Sequence, residues 1–375
     1  MTGGRIAIVD STAEIGGAQL SLLPVAALLA REREVTAFLP GPGPLAAALE
    51  EVGVRLGSGF ELPEVLRTMS GSYADGVSAP RALVTAAGHQ RRLARTLRRL
   101  EPSVVYLNGF RAQMGATAPA RTTRARVVWH IRDFRRPGVL GATWSALALA
   151  VSTAIANSAA TARQPGLRHV AGRVTTVHNG IDLGRFVPAP PPARPVIGMA
   201  AHLSPWKGHA RFLRVLARLR EDIPDLRGRI AGGEIYTTAG HSGYADSLRR
   251  QITELGLEER CTIERLAPED MPRWLGSLTA LVHCPERPEP FGRVLAEALA
   301  TGIAVVAWDE GAAPEVVGEA GLLAAPHDDA TLVGLTRRLL ADPGLRARLA
   351  RAGRRRAEAL FDERVYAERV ARHLR

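Results

Sequence analysis

The stretch "PAPPPARPVIGMAA", residues 188–201, decides how the chain is divided. Its first half is rich in proline, which lacks a backbone N–H and cannot pair inside a sheet, so it predicts a stiff connection. The apolar run "VIGMAA" at 196–201 then has the composition and length of a buried strand. The stretch therefore predicts that one domain ends here and that a second begins.

Short apolar runs alternate with helical patterns on both sides of this connection, which is typical of parallel-sheet α/β proteins. Before it, strands are predicted at 5–10, 34–40, 103–109, 126–133 and 153–158. After it, strands are predicted at 196–201, 227–233, 261–266, 280–285, 303–309 and 321–326. We predict two doubly wound, Rossmann-like domains, 1–187 and 188–358, followed by a helical segment, 359–375, that is able to pack back on the first domain or to stay with the second.

The composition is that of a globular, enzyme-sized protein, with 46% hydrophobic and 23% charged residues among 375. The formal net charge is +12, yet Lys207 is the only lysine among 49 basic residues, a bias that we attribute to GC-rich coding. The basic stretches at 81–99 and 346–375 lack interleaved aromatic residues, which argues against a nucleic-acid partner. The charge leaves weak peripheral contact with an anionic membrane surface open.

The remaining features predict a cytoplasmic protein in a reducing compartment. Cys261 and Cys284 are too few for a disulfide framework or a metal site. The amino terminus enters a strand without the charged and apolar regions of a signal peptide. The uncharged run at 137–162 contains Ser, Thr, Gly and Asn throughout, so it predicts a buried helix and a buried strand in place of a membrane span.

Two glutamates lie on either side of a Phe-Gly step in "ERPEPFGRVLAEALATG", residues 286–302. Glu289 precedes a helix that is predicted to start near Phe291-Gly292, and Glu297 lies about one and a half turns into it. A helix start at a strand end offers free backbone N–H groups to an anion or a polar sugar edge. The spacing alone, however, favours a solvated acidic pair.

Lys207 falls at a strand-to-helix turn in "AAHLSPWKGHARFLRVLARL", residues 200–219. A lysine at a helix start can meet a phosphate as a mobile point charge, and the alternative is an exposed lysine in a loop. Because all the remaining Lys and Arg positions in the chain are arginine, the placement of this lysine favours the phosphate role.

Gly16-Gly17 and His130 are weaker indications of a site. The glycines lie between the first strand and the first helix, where backbone can approach a ligand closely, but a plain tight turn fits equally well. His130 ends the apolar strand of "VVWHIRDF", where a single histidine is more often a packing residue than a ligand-binding one. Neither feature indicates a site without further support.

That support comes from the order of the motifs. After the glycine loop the chain reads "WHIRD", "IANS", "VHNGIDLGRF", "LSPWKGH", "EPFGRVLAEALATG" and "PEVVG" within residues 5–360. Together they resemble the family-four glycosyltransferases, which are retaining enzymes of the two-Rossmann GT-B fold. The resemblance implies two domains facing each other across a cleft, the first binding an acceptor and the second a donor. The E-x(7)-E run from Glu289 to Glu297 is its most specific element.

For the donor, the resemblance implies a nucleotide diphosphate sugar held mainly by the second domain. Glu297 would hold the ribose hydroxyls. Glu289 would hold the transferred sugar together with the backbone of Phe291 and Gly292. The donor-binding residues that it implies are Gly16, Gly17, His202, Lys207, Leu266, Glu289, Phe291, Gly292 and Glu297.

For catalysis, the resemblance implies Lys207, Glu289 and His130. Lys207 would stabilise the departing diphosphate together with helix N-termini, and His130 would lie near the transferred sugar. No carboxylate is placed as a covalent nucleophile, so we expect front-face attack, with the leaving phosphate taking the proton of the acceptor. The chain has no D-x-D motif, so neither a metal nor a cofactor is expected beyond the nucleotide-sugar co-substrate.

The chain departs from the family pattern around the donor. Ala201-His202 stands where the family usually has Gly-Arg, so the second cation of a diphosphate clamp is missing or is a titratable histidine. Arg265 replaces a glycine near the base pocket and leaves the base preference open. Gly311-Ala312 replaces a pair of glycines.

Two alternatives remain open on the sequence. A nucleotide-sugar epimerase of the same architecture would change the sugar without an acceptor. A catalytically weakened partner subunit would bind nucleotide sugar without turnover, a reading that His202 motivates. The acceptor is not identified: a glycan, a lipid-linked glycan or a small natural product would contact the loops predicted at 57–80 and 133–143.

Overall fold

The computed structural model describes residues 4–61, 79–135, 138–233 and 243–375, without the side chains of 79–86. The chain forms two compact units. The first comprises Met1–Gly180 and Glu363–Arg375, and the second comprises Ile181–Asp362. Each unit contains one parallel sheet, which confirms the prediction of two doubly wound domains.

The sheet of the first unit has seven parallel strands. They are β1 (Ile6–Asp10), β2 (Val35–Phe38), β3 (Arg55–Gly57), β4 (Val104–Asn108), β5 (Arg126–Ile131), β6 (Thr153–Ala156) and β7 (Val174–Thr176). Their order is β3-β2-β1-β4-β5-β6-β7. The strand order therefore reverses between β1 and β4, where a doubly wound sheet offers a crevice to a ligand.

Helices cover both faces of this sheet. They are Gly17–Ala30, Pro44–Glu51, Ala79–Leu100, Phe110–Arg121, Gly138–Ala148, Ala159–Ala162 and Glu363–Arg372, with a 3₁₀ segment at Pro165–Arg173. Successive side chains of a strand point to opposite faces, so β1 divides between two cores. Val9 packs in one core with Trp129, and Ile8 packs in the other with Val370.

The sheet of the second unit has six parallel strands. They are β8 (Val196–Ala200), β9 (Arg227–Ala231), β10 (Cys261–Glu264), β11 (Ala280–His283), β12 (Ala304–Trp308) and β13 (Leu322–Ala324). Their order is β10-β9-β8-β11-β12-β13, so the reversal lies between β8 and β11. The loops that follow these two strands carry Lys207 and Glu289.

Helices flank this sheet as well. They are His209–Leu219, Tyr244–Glu254, Met271–Gly276, Arg293–Ala300, Ala313–Val317, Asp329–Ala341 and Pro343–Leu360, with 3₁₀ turns at Pro205–Lys207, Pro268–Asp270 and Gly318–Ala320. The helix that was predicted near Phe291-Gly292 begins at Arg293, with Gly292 as its N-cap.

The units divide between Gly180 and Ile181, before the proline-rich stretch at which the sequence predicted the boundary. The physical reason is packing. Ile181 and Phe186 are buried in a core of the second unit together with Phe361. The Ile181 amide also donates to the Phe361 carbonyl at 2.7 Å. The chain has therefore joined the second unit before it reaches the prolines.

The segment predicted at 359–375 is split in the same way. Phe361 packs in the second unit, whereas the helix Glu363–Arg372 belongs to the first. Tyr366 and Val370 of this helix are buried in a core of the first unit. The chain therefore leaves its first unit and returns to it.

Every predicted strand is present, but β3 and β7 were not predicted. Each has three residues, and most of them are exposed or half-buried. They pair on one side only, at the two edges of the first sheet. A short, polar edge strand leaves no apolar run for a sequence pattern to detect.

The uncharged run at 137–162 contains the helix Gly138–Ala148 and β6. The helix is buried along one face only, because Trp144 is 1% exposed whereas Val139 is 82% exposed. The helix that was predicted to be buried is therefore buried on one face and exposed on the other. Among the described residues, no helix combines the length and the apolar character that a membrane crossing requires.

Candidate active site

The loop after β8 is held against the loop after β11 by backbone contacts. Gly208 ends the turn Pro205–Lys207 with φ = +85°, and a Cβ at this position would collide with the carbonyl oxygen of Cys284. The Glu286 amide donates to the Trp206 carbonyl at 2.8 Å. Position 208 thus needs glycine for two reasons: its backbone is left-handed, and the segment after β11 approaches it closely.

Lys207 and Glu289 form a nearly buried ion pair at the β8/β11 switch point. The Lys207 ammonium donates to both carboxylate oxygens of Glu289 at 2.9 Å, and the two side chains are 11% and 12% exposed. The Lys207 Nζ also lies 3.9 Å from the ring centroid of Trp206, as in a cation–π contact. The sequence assigned these two residues to different parts of one ligand, and the structure brings them into direct contact.

The charge of Glu289 is maintained by its neighbours. Burial alone would raise the pKa of this carboxyl, but Lys207, His283 and His202 together hold that pKa below its usual value. The backbone is fixed as well, since the Ala312 amide donates to the Glu289 carbonyl at 2.9 Å. The carboxylate is therefore ionised and fixed in place at neutral pH.

Two histidines lie beside this pair. His283 Nε2 is 3.9 Å from a Glu289 oxygen, and burial lowers the pKa of His283 to about 4 although the carboxylate opposes this. Among the described residues His283 Nε2 has no hydrogen-bond partner. His202 packs edge-on against Trp206, with ring centroids 5.9 Å apart. His202 therefore lies within the electrostatic environment of Glu289, where the family pattern has an arginine.

Glu297 is buried and paired with a different cation. It is 7% exposed and accepts from Arg293 Nε at 2.8 Å, one helical turn earlier. The two glutamates of the E-x(7)-E run therefore have separate partners, Lys207 and Arg293, and the solvated acidic pair that spacing alone favoured is wrong. Arg293 was not selected from the sequence, although its position four residues before Glu297 is the spacing of a helical ion pair.

The remaining donor-site candidates of the second unit have mainly packing contacts. Phe291 is buried, with its ring 5.8 Å from that of Phe361 in an edge-on contact. Gly292 adopts φ = +75°, and a Cβ there would lie 3.5 Å from Glu289 Cγ. Leu266 follows β10 and packs, partly buried, against an apolar core. The structure places Phe291 and Gly292 beside Glu289.

The first unit contains Gly16, Gly17 and His130. Gly16 is the N-cap of the helix Gly17–Ala30, and its amide donates to Gln19 Oε1 at 3.2 Å. His130 is fully buried, and its Nδ1 faces the hydroxyl of Tyr106 and the guanidinium of Arg132.

The ring of His130 is neutral. Burial, with the charge of Arg132, depresses the pKa of His130 far below its ordinary value. Its Nε2 is buried and has no hydrogen-bond partner among the described residues. His130 is therefore suited to hydrogen bonding and not to carrying charge.

The sequence reasoning missed the polar residues that end the strands of the first unit. Asp10 ends β1, Asn108 ends β4 and Arg132 follows β5, and all three are buried. The available signal was a polar residue directly after an apolar run, at the edge where a doubly wound sheet binds ligands. Within the part of the chain that the structure describes, no group of three or more His, Cys, Asp or Glu residues could hold a metal ion.

The fold is that of glycosyltransferases with two parallel-sheet domains. HepE from Anabaena, solved in complex with UDP and glucose, matches over 99% of both chains with a TM-score of 0.82 at 23% identity. Sucrose-phosphate synthase from Thermosynechococcus elongatus matches over 99% of this chain and 98% of its own, with a TM-score of 0.79 at 17% identity. At these identities the likeness shows the fold alone.

The sequence of the second unit matches a known family. Residues 181–356 match the family Glycosyl transferases group 1. The chain has the GT-B fold, and its second unit is similar to that family, which confirms the resemblance drawn from the motifs.

Two curated relatives are similar to about half of the chain. A D-inositol 3-phosphate glycosyltransferase from Nocardioides sp. is 34% identical over 48% of this chain and 43% of its own length. A GDP-mannose-dependent phosphatidylinositol monomannoside mannosyltransferase from Mycolicibacterium smegmatis is 31% identical over 51% and 53%. The chain thus spans about half the length of the curated relatives that it matches.

Proposed function

We propose that this protein moves a sugar from a nucleotide diphosphate sugar to an acceptor hydroxyl, with retention of anomeric configuration and without a metal ion. The observation that carries the proposal is the buried Lys207–Glu289 pair at the switch point of a Glycosyl transferases group 1 domain. An ammonium suits a diphosphate, and a carboxylate suits sugar hydroxyls. The pair places both kinds of group at the edge where such sheets bind ligands.

The identity of the donor is supported by the names of similar proteins. HepE was solved with UDP-glucose, and the mycobacterial relative is named as dependent on GDP-mannose. By the same reasoning a hexose is the transferred sugar. Within this chain we assign the ribose to Glu297 and the sugar to Glu289 with the adjoining backbone of Phe291 and Gly292. Leu266 is assigned to the base, and Gly17 to the diphosphate.

Lys207 can hold a diphosphate without releasing Glu289. An ammonium carries three N–H donors, and the two hydrogen bonds to Glu289 leave one for a phosphate oxygen. The carboxylate in turn has lone pairs that Lys207 does not use, and these can accept from sugar hydroxyls. Donor binding therefore extends an existing pair, so little reorganisation is needed.

In the proposed reaction the bond between the anomeric carbon and the diphosphate oxygen breaks as the acceptor oxygen attacks from the same face. The acceptor proton passes to the leaving phosphate. Lys207 stabilises the charge that develops on the diphosphate, in a nearly buried setting where such interactions are strong. His130 serves the transferred sugar as a neutral hydrogen-bonding group.

The acceptor belongs to the first unit in this proposal and stays open among glycans, lipid-linked glycans and small natural products. Of the loops predicted to contact it, residues 62–78 and 136–137 lie outside the described residues. We propose a cytoplasmic location, with weak contact to an anionic membrane surface through the arginine-rich helices and without a nucleic-acid partner.

The proposal is tested in two steps. UDP-, GDP- and ADP-sugars are screened for thermal stabilisation, and a true donor raises the melting temperature by mass action. Release of nucleoside diphosphate is then measured with that donor and a panel of acceptors, with and without EDTA, and the product's anomeric configuration is read by NMR. Turnover with retention and without added metal supports the proposal. Stabilisation without turnover would identify a binding subunit, the alternative that His202 motivates, and a flat screen would overturn the donor assignment.

Matched substitutions at the two glutamates test the division of roles. We expect Glu297→Gln to weaken donor binding by roughly ten- to a hundredfold, since a hydrogen bond to a charged group is worth about 1.5–3 kcal/mol. Glu289→Gln is expected to act mainly on kcat, because this residue meets the transferred sugar. Donor affinity by calorimetry and kcat by product release separate the two effects, and equal effects of both variants on both quantities would contradict the assignment.

A further inference from the structure

A row of buried polar residues crosses the carboxyl ends of β1, β4 and β5. Asp10 pairs in register with Asn108, and Asn108 pairs in register with His130. All three are at most 2% exposed. Burying a polar group costs free energy unless the group is hydrogen-bonded, so the hydrogen-bond partners of these residues explain how they can be buried.

One continuous chain of hydrogen bonds connects the glycine loop to Arg132. The Gly16 amide donates to Gln19 Oε1 at 3.2 Å, and Gln19 Nε2 donates to both carboxylate oxygens of Asp10 at 3.1 Å. Asn108 Nδ2 donates to Asp10 Oδ2 at 2.5 Å. Arg132 Nε donates to Asn108 Oδ1 at 2.6 Å. The side-chain amides of Gln19 and Asn108 each use both their donor and their acceptor, which fixes the direction of every bond in the chain.

The series of hydrogen bonds ends at the ring of His130. Arg132 Nη2 lies 3.4 Å from His130 Nδ1, and the hydroxyl of Tyr106 bonds to the same nitrogen. A guanidinium can only donate, and burial raises the pKa of Tyr106, so its hydroxyl keeps its proton. The guanidinium therefore requires Nδ1 to accept, and the Tyr106 hydroxyl, which keeps its proton, is then the donor in its bond to the same nitrogen. The single proton of a neutral imidazole then lies on Nε2, which has no partner among the described residues.

Arg132 has further contacts that hold it beside His130, where the series of hydrogen bonds ends. It donates to Asn179 Oδ1 at 2.9 Å and to the hydroxyl of Tyr366 at 3.1 Å. Tyr366 belongs to the carboxyl-terminal helix, and its ring centroid is 6.4 Å from that of His130. His373 of the same segment adds to the electrostatic environment of His130. The guanidinium is thus fixed from three directions before any ligand arrives.

We propose that Tyr106 and Arg132 are positioning residues that hold His130 as the Nε2–H tautomer, and that the bonds through Asn108, Asp10 and Gln19 couple this donor to the Gly16 loop. The inference rests on the proposed function for the role of His130 toward the transferred sugar. It goes beyond that role, because it makes His130 a fixed hydrogen-bond donor and not a proton shuttle. It also implies that the glycine loop and the histidine are preorganised together.

The tautomer can be read directly, without activity. In protein labelled with ¹⁵N-histidine, with the signals assigned by comparison with His130→Gln, we expect a protonated Nε2 and an unprotonated Nδ1 at neutral pH. A proton on Nδ1, or a doubly protonated ring, would overturn the proposal. Gln19→Ala is expected to shift the His130 signals through the chain, and unchanged signals would overturn the coupling to the loop.

Tyr106→Phe tests the effect on catalysis. The variant keeps the ring and removes one hydrogen bond, so we expect kcat to fall roughly five- to tenfold with donor KM changed less than about twofold, and a second tautomer to appear in the spectrum. Tyr244→Phe is the matched control, because Tyr244 meets His209 edge-on at 5.8 Å in the second unit, as Tyr106 meets His130 at 5.8 Å in the first. The control is expected to leave kcat and the His130 signals unchanged.

Unchanged kcat and an unchanged tautomer in Tyr106→Phe would overturn the positioning role. If the unmodified protein turns over no donor with any acceptor, the proposed function fails. The spectrum of His130 still decides the tautomer in that case, so the two failures are distinguishable.

Discussion

At the scale of single residues, the Lys207–Glu289 pair depends on both partners. A buried charge that loses its partner costs far more than an exposed one, because the desolvation of the remaining charge is no longer offset. Both side chains are about nine-tenths buried. The pair is therefore a stability element as well as a candidate binding element.

We expect Lys207→Met to lower the free energy of unfolding by about 3 kcal/mol, because it leaves the Glu289 carboxylate buried alone. The double variant Lys207→Met/Glu289→Gln should recover part of this loss. Arg249→Met is the control, since its pair with Asp246 is about two-thirds exposed and is worth about 0.5 kcal/mol. Urea unfolding followed by circular dichroism measures all three, and a loss in Lys207→Met no larger than in the control would refute the prediction.

The buried histidines of the second unit give stability a pH dependence. Burial lowers the pKa of His209 and of His283 to about 4, below the ordinary value of 6.5. Between these values the unfolded chain binds protons that the folded chain does not. The free energy of unfolding therefore has its full value above about pH 6.5 and falls as the pH falls toward 4. At about pH 5 the loss is about 2 kcal/mol for each histidine.

His209→Gln should remove one of these contributions, so that the melting temperature falls less between pH 7 and about pH 5 than in the unmodified protein. His169→Gln, at an exposed histidine, should keep the full fall. Calorimetry at the two pH values makes the comparison. An unaltered fall in His209→Gln would show that another group is responsible.

At the scale of elements, the strands could be predicted because a buried parallel strand is a short, continuous apolar run. Lys207 could be selected because it is the only lysine in the chain. The pairing of Lys207 with Glu289 could not be predicted, since it depends on β8 and β11 being neighbours in the sheet. The same applies to the bonds from Asp10 to Arg132, whose members are far apart in sequence and meet only through the strand order.

Gly208→Ala is expected to destabilise the second unit by at least about 2 kcal/mol and to weaken donor binding, because the turn that carries Lys207 must move away from Cys284. Gly243→Ala is a matched control. Its φ of +83° is close to the +85° of Gly208, but a Cβ there would meet no atom of the described residues within 4 Å. The difference between the two variants in urea unfolding isolates the collision, and equal losses would mean that backbone conformation alone accounts for the effect.

At the scale of the whole molecule, the first unit depends on the carboxyl terminus. The helix Glu363–Arg372 packs against the helix Gly17–Ala30, and Tyr366, Val370 and Leu374 are buried in the same core as β1. The proline-rich stretch predicted that the chain divides in two, but the division lies before it, between Gly180 and Ile181. No sequence pattern shows which core a terminal amphipathic helix will join.

A chain that ends at Asp362 loses these buried side chains, worth about 1.5–3 kcal/mol each. We expect the calorimetric transition of the first unit to fall by more than about 10 °C, with the transition of the second unit unchanged. A chain that ends at Leu374 loses the surface ion pairs of Arg375 and its backbone hydrogen bonds to Ala371 and Arg33, but no buried side chain, and should melt within about 1 °C of the full chain. Equal melting of both shortened chains would contradict the packing role of the helix.

The second unit begins and ends at one place. Ile181 and Asp362 are bridge partners, and the residues just outside them also meet, since a Cβ on Gly180 would lie 2.5 Å from the Glu363 Cα. A segment whose ends adjoin can be cut out or replaced without stretching what remains. Residues 181–362 can therefore be exchanged as one segment. If the second unit binds the donor as proposed, exchanging residues 181–362 at this one pair of neighbouring points is expected to change the donor preference while the first unit keeps its terminal helix.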